Sequence, residues 1–155
     1  MELDKLVTQD LANEGEWFPV ELYGKPADFD LKILGDDSDA VQQHSRKAMK
    51  KLKGVMAKSY KNSEAEFDDE TVEDLADSGD EAVLVHIAGI RGWKVERKGS
   101  KVISRESEPV TLNGKELGSD KESYKLLISK IPAIKEFVLG KARDRTNFLS
   151  ERSGN

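Results

Sequence analysis

The chain has no cysteine, and that absence removes a disulfide framework, thiolate zinc sites and cysteine nucleophiles together. Histidine is nearly as scarce. His44 and His86 are the only two, and their separation does not have metal-ligand spacing. Long apolar runs are missing as well: none approaches the roughly 18 residues that suggest a membrane span. Residues 1 to 20 alternate charge with apolar residues and lack a signal-peptide core, which predicts a soluble protein of the cytoplasm. Neither G-x-G-x-x-G nor G-x-x-x-x-G-K-[ST] occurs, so nucleotide binding has no support in the glycines.

What is present is charge. Charged residues make up 35% of the 155 positions and hydrophobic residues only 37%, so the core must come from a few apolar runs. A chain of this length fits one domain, read here as residues 1–149 with a polar tail at 150–155. The net charge of -5 conceals a sign reversal. From His44 to Lys61 there are Arg46, Lys47, Lys50, Lys51, Lys53, Lys58 and Lys61 with no acid, whereas every formal charge from Glu64 to Glu81 is negative. Two such segments can attract one another as antiparallel helices.

Local patterning gives the expected elements. Leu3, Leu6, Val7 and Leu11 fall at helical spacing over residues 2–13, with Gly15 placed to end the segment. Phe18, Val20 and Leu22 share one face of a strand, as do Phe29, Leu31 and Ile33, and Gly24-Lys25-Pro26 supplies the turn between them. Asp36, Asp37 and Ser38 can cap a helix that carries Val41, Ala48, Leu52, Val55 and Met56 in one stripe and ends near Tyr60. Asp68 and Asp69 can open an acidic helix. For residues 82–90 the pattern fits helix or strand, and the shared stripe Leu75, Val83, Ile87 and Ile90 favours helix to about Gly89.

Beyond Trp93 the spacing predicts short extended pieces and a mobile loop over 96–108, then a tight Asn113-Gly114 turn. Ser119-Asp120-Lys121-Glu122 has the form of a capping box, Pro132 breaks the helix that follows, and a last amphipathic helix runs to about Leu149. The expected fold class is α+β: a mainly helical single domain with a small antiparallel β-hairpin near the N-terminus.

No set of residues forms a catalytic constellation. His44 reads better as a solvated residue on a basic face, and His86 as a core or boundary histidine, than as an acid or base. The acids at 68–70 and 77–80 do not follow an EF-hand pattern, so no metal site and no cofactor are assigned. The lysine-rich helix lacks interleaved aromatics in an acidic chain, which argues against nucleic acid. Trp17 and Trp93 read as core more readily than as interface anchors.

In order, the chain presents Glu16-Trp17-Phe18-Pro19-Val20, then Phe29-Asp30-Leu31-Lys32-Ile33-Leu34-Gly35-Asp36-Asp37-Ser38, a lysine-rich helix and an acidic helix. Val83 to Trp93, Pro109-Val110-Thr111-Leu112-Asn113-Gly114-Lys115-Glu116-Leu117 and helices ending in Lys141-Ala142-Arg143-Asp144-Arg145-Thr146-Asn147-Phe148-Leu149 follow. Over nearly its whole length this layout resembles the tail assembly chaperone family of siphophages, the long-tailed bacteriophages, and related prophages.

The resemblance implies a non-enzymatic assembly factor in the host bacterial cytoplasm. Its partners would be the phage tape measure protein and the tail tube protein, with no nucleic acid and no membrane, and homo-oligomerisation is left open. A structural phage tail or head-tail completion protein is the alternative, and presence in purified virions would favour it. An extended helical tape measure exposes apolar stripes that need cover, and a groove between amphipathic helices can supply it. The expected groove walls are Val41, Leu52, Val55 and Met56 on one side and Ile134, Phe137, Val138 and Phe148 on the other.

Overall fold

A computed structural model describes residues 3–61 and 79–149. A 3-10 turn at Asp4–Leu6 precedes helix α1, Gln9–Glu14, so the expected helix over 2–13 is broken in two. Gly15 ends it as the sequence suggests, at φ 80°, with its N–H donating to the Leu11 carbonyl.

Strands β1, Glu16–Leu22, and β2, Lys25–Ile33, form an antiparallel hairpin. Its turn is Tyr23-Gly24, slightly earlier than expected, because both residues adopt positive φ (56° and 75°) and Leu22 pairs directly with Lys25. Two left-handed residues match the twist of the strands they join. Helix α2, Asp39–Lys61, follows, with Ser38 Oγ accepting from the Val41 N–H at 3.3 Å. The expected acidic helix at 68–77 lies outside the described residues, and so does its pairing with α2.

The described chain resumes in a helical segment at 79–84, α3, and here the sequence reading is corrected. Residues 87–90 are not helix: they open strand β3, Ile87–Lys98. Glycines at 89 and 92 weaken a helix, and Leu31 pairs with Ile90 and Lys32 with Gly89. The expected loop over 96–108 is also corrected, because β4, Lys101–Glu108, pairs back along β3 through a turn at Gly99. Strand β5, Val110–Leu112, and strand β6, Lys115–Leu117, close around the expected Asn113-Gly114 turn, with φ 52° and 77°.

Helix α4, Lys121–Lys130, is capped by Asp120, whose carboxylate accepts from the Ser123 N–H at 2.8 Å. Pro132 separates it from α5, Ala133–Arg143, which stops short of the expected end at Leu149. Asp144 accepts from the Thr146 N–H at 3.1 Å and turns the chain into a 3-10 segment, Arg145–Phe148.

The fold class is therefore α+β but not mainly helical. A four-stranded antiparallel sheet in the order β1-β2-β3-β4, with a separate β5-β6 pair, organises the chain. One face of the sheet supplies Phe18, Val20, Leu31, Ile33 and Ile90, and the helices supply Tyr124, Leu127, Ile128, Ile134, Val138 and Ala142 to the same core. Gly35 marks how closely α1 and the C-terminal segment approach: a Cβ there would lie 2.8 Å from Ala12 Cβ and 3.0 Å from the Phe148 ring. Among the described residues, no helix is long and apolar enough to cross a membrane.

Candidate interaction surface

Helix α2 is held at its base and keeps several large apolar side chains exposed farther along. The Asp36 N–H donates to the Ala142 carbonyl at 3.1 Å, and Gln42 Nε2 to the Asp36 carbonyl at 2.8 Å. Asn13 Oδ1 accepts from the Asp39 N–H at 2.7 Å, while Gln9 Nε2 donates to the Asp39 carboxylate at 2.8 Å. Asp37 accepts from Thr8 Oγ1 and, at 2.9 and 3.1 Å, from Arg145 Nε and Nη2. Those bonds, Arg145 first and Thr8 second, hold the Asp37 carboxyl below its ordinary value. The start of α2 is thus fixed to α1 and its cap on one side and to Ala142 and Arg145 on the other.

Beyond that base the apolar stripe emerges. Val41 is buried, Ala48 and Val55 are half-buried, and Met49, Leu52 and Met56 are 54%, 40% and 50% exposed. At 100° per residue, positions 41, 48, 49, 52, 55 and 56 fall within about a third of the helix circumference. Arg46, Lys47, Lys50, Lys51 and Lys53 flank them, all exposed. An apolar strip rich in methionine adapts to irregular partners, and its basic borders select a partner stripe bordered by acids.

The other expected wall has a different place. Ile134, Val138 and Phe148 are 0%, 0% and 1% exposed, inside the core, because the sheet rather than a partner covers this side of α5. Phe137 is half-buried under Lys141 Nζ, 5.7 Å from its ring centroid. The two stripes therefore do not face one another across a groove. Of the eight residues, Leu52, Val55 and Met56 form the accessible patch, joined by Met49.

Two acids from the negative block also lie away from α2. Asp80 pairs with Lys135 at 2.7 Å and Glu81 with Lys121 at 3.0 Å, so α3 is tied to α5 and α4. Such exposed pairs orient more than they stabilise.

Sequence separation hid a histidine contact at the root of α2. His86 Nδ1 donates to the Leu34 carbonyl at 3.0 Å, and its Nε2 stands 3.5 Å from Asp36 Oδ1. His44 and Arg143 are close enough to act on it electrostatically, and His44 Nε2 is buried with no hydrogen-bond partner among the described residues. Burial holds the His86 imidazole below its ordinary value of 6.5, and the Leu34 bond and Asp36 only partly oppose this. The unfolded chain then binds a proton that the folded chain resists, so the unfolding free energy falls as pH drops below 6.5. Chemical denaturation across that range is expected to show this decline, and His86→Asn, which keeps a donor for Leu34, is expected to flatten it.

An open cleft of about 620 Å³ lies between the β1–β2 turn and the α4–α5 junction, lined by Leu22, Tyr23, Lys25, Pro26, Ala27, Lys130 and Ile131. It gathers cations but no acid and base together. Among the described residues, no group of three or more histidines and carboxylates could hold a metal ion. Comparison with protein-family models, with curated proteins and with solved structures finds no match.

Proposed function

We propose that this protein is a non-enzymatic tail assembly chaperone that covers an amphipathic helix of the phage tape measure protein and helps recruit tail tube subunits to it. The observation that carries this reading is the Met49, Leu52, Val55 and Met56 stripe, which α2 presents outside the core between rows of lysine and arginine. A solvated helix needs no such stripe, since an apolar face gains stability only when covered. The layout of the sequence supports the choice of partner.

The physical work is protection. A tape measure helix exposes apolar stripes that associate with one another, and α2 offers a competing surface. Its basic borders speed encounter with an acidic partner and set its orientation, while the bonds to α1 and Arg145 fix the direction in which α2 leaves the body. Co-expression with a siphophage tape measure protein is expected to keep that protein soluble and to recover both in one pull-down. A tape measure equally soluble alone, with nothing recovered, would remove the proposal.

A further inference from the structure

The sheet's outward face, opposite the core, carries a built array that neither the fold nor α2 uses. Gly89 lies against Trp17: a Cβ there would come within 2.8 Å of Trp17 Cη2, so the indole approaches the β3 backbone closely. The Arg91 guanidinium sits 4.2 Å from the Trp17 ring centroid and 5.4 Å from that of Trp93, and the Arg105 guanidinium sits 4.2 Å from the Trp93 centroid. Asp30, buried between them, accepts from Arg91 Nε at 2.8 Å and Trp93 Nε1 at 2.9 Å. The opposite side of the β3–β4 arm has ordinary solvated composition, with Lys94 paired across to Glu106 and Glu96 accepting from Ser104 Oγ at 3.2 Å. Tryptophan and arginine together, with lysine nearly absent, is the composition of a binding face.

Charge identifies the occupant. Asp30 neutralises Arg91, and Asp28 pairs with Arg97. Arg105 and Glu21, both exposed, have no ion-pair partner among the described residues. They stand on opposite edges of the sheet, β4 and β1, about 14 Å apart at three strand spacings. Along the strands they are two residues apart. Pro19, Asp30 and Arg91 lie in one row; Glu21 is two residues beyond Pro19, and Arg105 pairs with Val95, four beyond Arg91 in the same direction. The offset of two residues is about 7 Å, within reach of an arginine side chain. A twofold axis along the strands reverses their order but keeps each level, and so lays β1 of one copy over β4 of the other.

We infer that the outward face is a self-docking surface: two copies of this chain stack their Trp17–Arg91–Trp93–Arg105 ladders across that axis, with Glu21 of each copy meeting Arg105 of the other. The contact is isologous, so the ion pair forms twice. Helix α2 takes no part in it, and the inference stands apart from the identity of the helical partner.

Sedimentation of the full chain across a dilution series tests it. The wild-type chain is expected to show a reversible monomer–dimer equilibrium. Glu21→Arg and Arg105→Glu are each expected to weaken it about tenfold, or ~1.4 kcal/mol, with circular dichroism unchanged. The double variant is expected to restore association, because within one chain the two positions are too far apart to pair. A chain monomeric at every concentration would overturn the inference, as would a dimer unmoved by either single reversal or not recovered in the double variant. Glu21→Arg touches no ladder residue and keeps the test sound if Arg105→Glu unfolds.

Discussion

Replacing Phe148 with alanine is expected to lower the unfolding free energy by about 3–5 kcal/mol, read from the shift in a urea transition at unchanged slope. The ring is 1% exposed and meets Phe18 edge-on, with centroids 6.3 Å apart and planes at 73°. It also sits against Gly35, where backbone and ring already touch closely, so little can move in to fill the space. A domain stable by roughly 5–15 kcal/mol loses much of its margin through such a change. A loss below about 1 kcal/mol would show that the residue is not core. Any loss of partner binding in Phe148→Ala is expected to follow the unfolded fraction, because the side chain is out of a partner's reach.

The second large effect is the reverse: binding lost and stability kept. Leu52→Gln with Met56→Gln is expected to weaken capture of the helical partner by roughly 10-fold or more, since covering the exposed halves of two such side chains contributes about 1.5–3 kcal/mol. Glutamine has nearly the helix propensity of leucine and methionine, so the unfolding free energy is expected to move by no more than about 0.5 kcal/mol. Isothermal titration with the partner segment and urea unfolding of the same sample read the two quantities. Equal affinity in the variant would place the partner elsewhere; a large stability loss would mean that the chain itself covers the stripe.

The contrast between Phe148 and Leu52 shows how far the sequence was legible. Both lie on apolar stripes at helical spacing, and spacing does not say whether a sheet or a partner covers the stripe. The hairpin was readable because alternation puts Phe18, Val20, Leu31 and Ile33 on one face, all now buried. The α2 cap, the Asn113-Gly114 turn and the break at Pro132 were readable from local chemistry.

Strands β3 and β4 were not, for two physical reasons. Every residue of β4 is exposed, so no alternation was written into it. Val83, Ile87 and Ile90 satisfy a helical stripe, and only the pairing of residues 87–92 with β2, some sixty residues earlier in the chain, makes that stretch a strand. The Asp30, Arg91 and Trp93 cluster and the contact of His86 with Leu34 and Asp36 depend on the same distant pairing. The expected fold class therefore lies too far toward helix, and the spacing of the α2 and C-terminal stripes does not tell that Leu52 and Met56 stay exposed while Ile134, Val138 and Phe148 are buried.

The most direct test of α2 as the partner-binding element is site-specific photocrosslinking in cells that make this chain together with the tape measure protein. A benzophenone side chain at Met56 is expected to give a covalent adduct with the tape measure, whereas one at exposed Tyr23, away from the stripe, is expected to give none. A complex that forms normally but crosslinks from Tyr23 and not from Met56 would contradict the account.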